Sequence, residues 1–207
     1  HSLSKLKYPQ PDHPFSVALE EFIDKFGDLS CSEELCTQGN DAIVRLLLEQ
    51  GGDAAIVQGG GNSPLVDVTL NGDLAAARLL LRQGACLDCG DANGRTPLWY
   101  AADQGDNKLV ELFLTSAAAD AGTLVRQVDK DGYTALHRAA LKGAVGVIKL
   151  LLRYGADVNA KTNKGLSALM SASLNKHHEV VQLLVNKGAD VSATAKGYLK
   201  FLETEQD

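Results

Sequence analysis

Thr134-Ala-Leu-His-Arg-Ala-Ala-Leu-Lys-Gly143 decides the fold, because the same ten-residue template recurs three more times along the chain. The other copies are Ser63-Pro-Leu-Val-Asp-Val-Thr-Leu-Asn-Gly72, Thr96-Pro-Leu-Trp-Tyr-Ala-Ala-Asp-Gln-Gly105 and Ser167-Ala-Leu-Met-Ser-Ala-Ser-Leu-Asn-Lys176. Their starts lie 33, 38 and 33 residues apart, and each copy is followed by an apolar run such as Val147 to Leu152. Thirty-three residues before Gly72 stands Gly39, and Ile43 to Leu48 then falls in the apolar columns of a fifth copy. A fixed period of this length marks a solenoid, in which stacked units bury a core that no single unit can bury alone.

Each block predicts two short helices and a hairpin. Thr or Ser at the first position can cap a helix through its hydroxyl, and Pro64 and Pro97 suit a first helical turn. The glycine after the first helix (Gly72, Gly105, Gly143) can take the left-handed conformation that ends it. Ala101-Ala102 and Ala139-Ala140 let neighbouring helices approach closely. The second helix carries Leu and branched residues on nearly all sides, which predicts a helix sandwiched between neighbours.

These blocks resemble the ankyrin repeat, whose hallmark Thr-Pro-Leu-His-x-Ala is nearly spelled out from Thr134 to Ala139. The resemblance implies an all-α ankyrin-repeat solenoid of stacked helix-turn-helix units with β-hairpin loops. The expected boundaries are an extended arm over 1–14, a capping helix over 15–29, repeats over 30–60, 61–93, 94–131, 132–164 and 165–194, and a degenerate cap over 195–207. Phe15, Leu19, Phe22, Ile23 and Phe26 recur at helical spacing, which fits a cap over the open end or, alternatively, a docking helix for another protein. Repeat three carries five extra residues around Thr115 to Val128, expected to lengthen its second helix or the loop after it. The stretch Val57 to Asn62 is glycine-rich, but no Gly-Lys-Ser/Thr follows, so a phosphate loop is rejected.

Hydrophobic content of 45%, charged content of 22% and a formal charge of -6 are those of a folded protein without the basic face that nucleic acid requires. No stretch of about eighteen apolar residues spans a membrane. No cofactor and no metal site is expected. Cys86-Leu-Asp-Cys89 has the spacing of half a zinc site, but Cys31 and Cys36 belong to another repeat, so the cysteines are read as reduced thiols. His137 is expected to bond neighbouring turns, and His177-His178-Glu179 lacks further ligands. No catalytic constellation emerges, so the chain is read as a non-enzyme, expected to be monomeric alone, in the cytosol or nucleus. His1 in place of Met favours a fragment, and caps at both ends favour a self-sufficient domain.

Function must then lie in the variable columns. In the family these form a concave face of loop tips and first helices that binds other proteins. The loop-tip column reads Arg95, Tyr133 and Leu166 in repeats three to five, and the outer first-helix columns read Asp103, Leu141, Leu174 and Gln104, Lys142, Asn175. The apolar members Tyr133, Leu141, Leu166 and Leu174, with Trp99 and Tyr100, predict an apolar groove for a peptide or helix of another protein; otherwise these residues pack within or between repeats. The alternative is a regulatory ankyrin domain cut from a longer enzyme or channel. Leu151, followed six residues later by Asp157-Val-Asn159, also resembles the site at which asparaginyl hydroxylases modify ankyrin repeats, which makes Asn159 a modification candidate.

Overall fold

The computed structural model describes residues 63–192. The expected arm, capping helix, first repeat, glycine-rich loop and C-terminal cap lie outside the described residues. The chain divides into two units, one ending at Cys86 and one beginning at Leu87.

In the first unit, α1 (Pro64–Leu70) and α2 (Leu74–Arg82) pack together across a tight turn. Ser63 caps α1 by accepting from the Val66 N–H, and Asp73 caps α2 by accepting from Ala75 and Ala76. Leu65, Val66, Val68, Ala77 and Leu80 are buried.

The second unit repeats that pattern three times. First helices are α3 (Pro97–Gln104), α6 (Ala135–Lys142) and α8 (Ala168–Leu174), and second helices are α4 (Asn107–Ala117), α7 (Val145–Arg153) and α9 (His178–Asn186). First helices pack on first helices and second on second, so the repeats form two layers. The residues that permit this are small: Ala101, Ala102, Ala139, Ala140 and Ala172 are all fully buried where α3, α6 and α8 meet. Thr96, Thr134 and Ser167 each cap their first helix as the template implies, accepting from Trp99, His137 and Met170 respectively. Gly105 and Gly143 end α3 and α6 with positive φ angles of 73° and 74°. Lys176 holds the same position after α8 at φ 59°, where a side chain is strained.

Two expectations are refined. The second helices do pack between neighbours, α7 against both α4 and α9, but they bury only part of their surface: α7 buries Val147, Ile148 and Leu151, and α9 buries Val180 and Leu184 while Val185 is exposed. Their outer face meets solvent, because only the inner face touches the first-helix layer. The loops are turns rather than hairpins with strands; among the described residues the sole ladder element is an isolated antiparallel bridge between Lys161 and Ser167. A side chain closes each turn. Asp91 accepts from the Asn93 and Arg95 N–H groups, Asp129 from those of Asp131 and Tyr133, and the Thr162 hydroxyl from that of Leu166. Successive tips are stitched by Lys130 N–H to Asn93 O at 2.9 Å and Asn163 N–H to Asp131 O at 3.0 Å.

The insertion in repeat three does both things expected of it. Helix α4 spans 11 residues against nine for α7 and α9, and then runs into a 3-10 turn (Ala118–Asp120) and a short helix α5 (Ala121–Leu124). Ala121, Leu124 and Val125 bury this extra turn against the unit. Cys86 and Cys89 are disulfide-bonded rather than the reduced thiols expected, a state that C-x-x-C spacing supports.

Candidate functional site

His137 sets the local frame. It is fully buried, and its Nε2 lies 3.1 Å from both the Ala160 and Leu166 carbonyls. Carbonyls only accept, so Nε2 carries the proton and Nδ1 is the acceptor, taking the Thr134 N–H at 3.2 Å and hydroxyl at 2.8 Å. One imidazole thus ties the start of α6 to the loop that leads into α8. Burial holds its pKa below the ordinary value, against the opposing pull of the two carbonyls.

The next residue, Arg138, points the other way. Its Nε donates to Asp103 Oδ1 on α3 at 2.8 Å, and Lys142, one turn along α6, approaches Asp103 Oδ2 at 3.8 Å. The Arg138 guanidinium carbon lies 4.6 Å from the centre of the Trp99 ring and 5.9 Å from that of Tyr133. Arg95 approaches Trp99 as well, at 5.2 Å, and the Trp99 and Tyr100 rings meet edge to face at 5.1 Å. Each cation–ring contact is worth about 0.5–1 kcal/mol at a surface, and the half-exposed ion pair about the same. They form a layer of aromatic rings and charged groups across two consecutive first helices.

The acids in this layer have internal partners. The Tyr100 hydroxyl donates to Asp91 Oδ2 at 2.9 Å. Burial pushes the Asp91 carboxyl up, but the Arg95 N–H, the Tyr100 hydroxyl and the Asn93 N–H outweigh it and hold the group below its ordinary range. Burial raises the Tyr100 hydroxyl, and a hydrogen bond to Tyr100 raises Arg95. Two donors, the Trp99 indole Nε1 and Arg95 Nε, are buried with no hydrogen-bond partner.

The other expected residues divide by burial. Trp99 is 7% exposed and Leu166 6%, so neither lines an open apolar groove. Leu166 is drawn inward because its N–H and carbonyl are bound by Thr162 and His137. Tyr133 and Leu141 are half-buried, whereas Leu174, Asn175 and Lys142 are exposed. The Leu141 carbonyl accepts from His177 Nε2 at 2.9 Å, and Asn175 donates to the Ser171 carbonyl at 2.8 Å. Asn159 lies in the loop after α7; its side chain donates to the Gly188 carbonyl at 3.2 Å and accepts from the Asp190 N–H at 2.8 Å. Arg138 and Asp91 were missing from the sequence expectation. The available signal was the i, i+4 spacing of Arg138 and Lys142, two cations on one face of α6.

Comparison with known families settles what these repeats are. The family model for ankyrin repeats (3 copies) matches residues 33–124 and 105–195, most of the chain. The chain belongs to the ankyrin-repeat family. Ankyrin domains of this kind are interaction modules without chemistry of their own. Among curated relatives, Delta-latroinsectotoxin-Lt1a of Latrodectus tredecimguttatus is 44% identical over 63 residues, covering 30% of this chain and 5% of the toxin. Alpha-latrotoxin-Lg1a of Latrodectus geometricus is 43% identical over 63 residues, 30% of this chain and 4% of that protein. Palmitoyltransferase akr1 of Schizosaccharomyces pombe is 43% identical over 60 residues, 29% of this chain and 9% of the enzyme. The chain therefore spans less than a tenth of each of these relatives. Among the described residues, no helix is long and apolar enough to cross a membrane.

Proposed function

We propose that this ankyrin domain is a non-catalytic scaffold or adaptor module that binds a peptide or helix of another protein through its concave face. The observation that carries the reading is the layer formed by Trp99, Tyr100, Asp103, Tyr133, Arg138 and Lys142, with Leu174 exposed on the next first helix. Aromatic and guanidinium groups are the side chains that most often dominate protein interfaces. No packing requirement of the repeat puts a tryptophan, two tyrosines and two arginines in neighbouring variable columns. The face is mixed rather than purely apolar: charged groups from Arg95 to Lys142, then Leu141 and Leu174 on the adjoining helices α6 and α8.

The experiment is affinity capture with the wild-type domain, repeated with Tyr133→Ala plus Leu141→Glu and with a control, Lys149→Glu, on the exposed side of α7. The reading expects the first variant to stay folded and lose the captured protein, and the control to keep it. A folded first variant that captures the same protein in the same yield overturns it.

A second reading is a regulatory ankyrin domain within a longer enzyme or channel. Its support is the palmitoyltransferase relative, in which the matching segment is 9% of the enzyme. Sequencing the whole transcript tests it, and an open reading frame that ends with these repeats and adds no further domain removes it.

A further inference from the structure

We infer that the Cys86–Cys89 bridge is a reversible dithiol–disulfide couple, exchanged with low-molecular-weight thiols of the glutathione class, and that its state sets one wall of a cavity beside the repeat-three insertion. The bridge belongs to the loop that precedes repeat three, and both cysteines are half-buried rather than in the core. Accessible bridges are the ones that small thiols reach and reduce.

Ring size says how far the fold depends on it. The bridge closes a ring of only four residues, from Cys86 to Cys89. By the loop-closure relation a ring that short favours the folded state by about 20-fold, against about 170-fold for a ring of about fifteen residues. The repeats therefore stay folded when it opens, as a switch requires. The exchange balances with the thiol as its sole co-reactant. A reductant thiolate attacks one sulfur and forms a mixed disulfide; the Cys86–Cys89 bond breaks and the released sulfur takes a proton. A second reductant thiol then attacks the mixed disulfide, leaving two protein thiols and one reductant disulfide. Two electrons have entered the protein, and the reverse sequence removes them.

The two residues inside the ring decide what moves. Leu87 and Asp88 line a cavity of about 420 Å³, which Ser116 on α4, Thr123 and Leu124 on α5, and Gln127 line from the insertion. The insertion side is itself under constraint. Ala118 is held at φ 47°, where a side chain is strained, and the Gln127 side-chain oxygen is buried with no donor. Opening the ring frees the backbone of Leu87 and Asp88, and the cavity loses that fixed wall.

The test places the isotopically labelled full chain in buffers rich first in reduced and then in oxidised glutathione. Alkylation with peptide mass mapping reads Cys86 and Cys89 apart from Cys31 and Cys36. The pair should be alkylated without denaturant in the first buffer and protected again in the second, with the unfolding equilibrium shifted by about 20-fold. Amide shifts should move at Ser116, Thr123, Leu124 and Gln127, and Cys86→Ser plus Cys89→Ser should reproduce them without reductant. Reduction that needs urea, or a reduced chain that has lost its fold, makes the bridge a structural staple and overturns the inference. Two redox states with the same amide shifts from Ser116 to Gln127 overturn it as well.

Discussion

Replacing His137 by leucine removes the one side chain that joins the start of α6 to the loop before α8. Leucine fills much of the same space, so the cost falls mainly on polar groups. The Ala160 and Leu166 carbonyls and the Thr134 N–H each lose the ring as partner. A buried polar group stripped of its partner costs about 1–3 kcal/mol, offset in part by the apolar gain, so a net loss of about 2–4 kcal/mol is expected. The same geometry dictates a pH dependence. Burial lowers the His137 pKa below its ordinary 6.5, so below that pH the unfolded chain binds a proton that the folded chain refuses. The stabilisation is complete above the unfolded value and is lost as pH falls from there toward the folded value, at up to about 1.4 kcal/mol per pH unit. Urea unfolding of wild type and His137→Leu at about pH 7.5 and about pH 5.5 separates the two effects. The wild type should lose more stability on acidification than the variant, and the gap between them should narrow. Equal stabilities at the higher pH, or an unchanged gap at the lower one, would refute the assigned tautomer and its role.

Further outcomes follow from single positions. Leu151→Ala should cost about 2–5 kcal/mol, since Leu151 is fully buried in α7; thermal melting checks it, with Leu174→Ala on the exposed column as a near-neutral comparison. Lys176→Gly should stabilise by about 1 kcal/mol and raise Tm, because it relieves a left-handed backbone at φ 59°. Gly132→Ala should destabilise by about 1–3 kcal/mol, as φ is 81° and the new Cβ would lie 2.7 Å from the Asn163 backbone nitrogen; an unchanged urea midpoint would contradict that. For Asn159, intact-mass analysis of protein from its native cell should show a one-oxygen gain if it is hydroxylated, and Asn159→Ala should loosen the Gly188–Asp190 loop in hydrogen exchange.

The repeat was legible because its capping and turn chemistry is local. Thr96, Thr134 and Ser167 act within three residues of themselves, and Gly105 and Gly143 end their helices by backbone conformation alone. What lay beyond reading depends on register between repeats. Arg138 reaches Asp103 across 35 positions and Trp99 across the α3–α6 seam, and no spacing rule announces such a pair. Leu166 looked like a solvated variable position, yet its turn folds inward because Thr162 and His137 hold its backbone. Val147 to Leu152 is apolar except for Lys149 although only one face of α7 is buried, since aliphatic residues also populate half-exposed positions. Where the variable columns predict an apolar groove, the structure has a layer of charged and aromatic side chains, with the exposed Leu174 on the next first helix.

The central claim is that partners bind the first-helix face. Its most direct test is a chemical-shift map of the isotopically labelled domain titrated with the captured protein or a selected peptide. The account expects the largest shifts at Arg95, Tyr100, Asp103, Arg138, Lys142 and Leu174. Shifts clustered instead on the outer side of the second helices, at Glu111, Lys149 and Gln182, would contradict it.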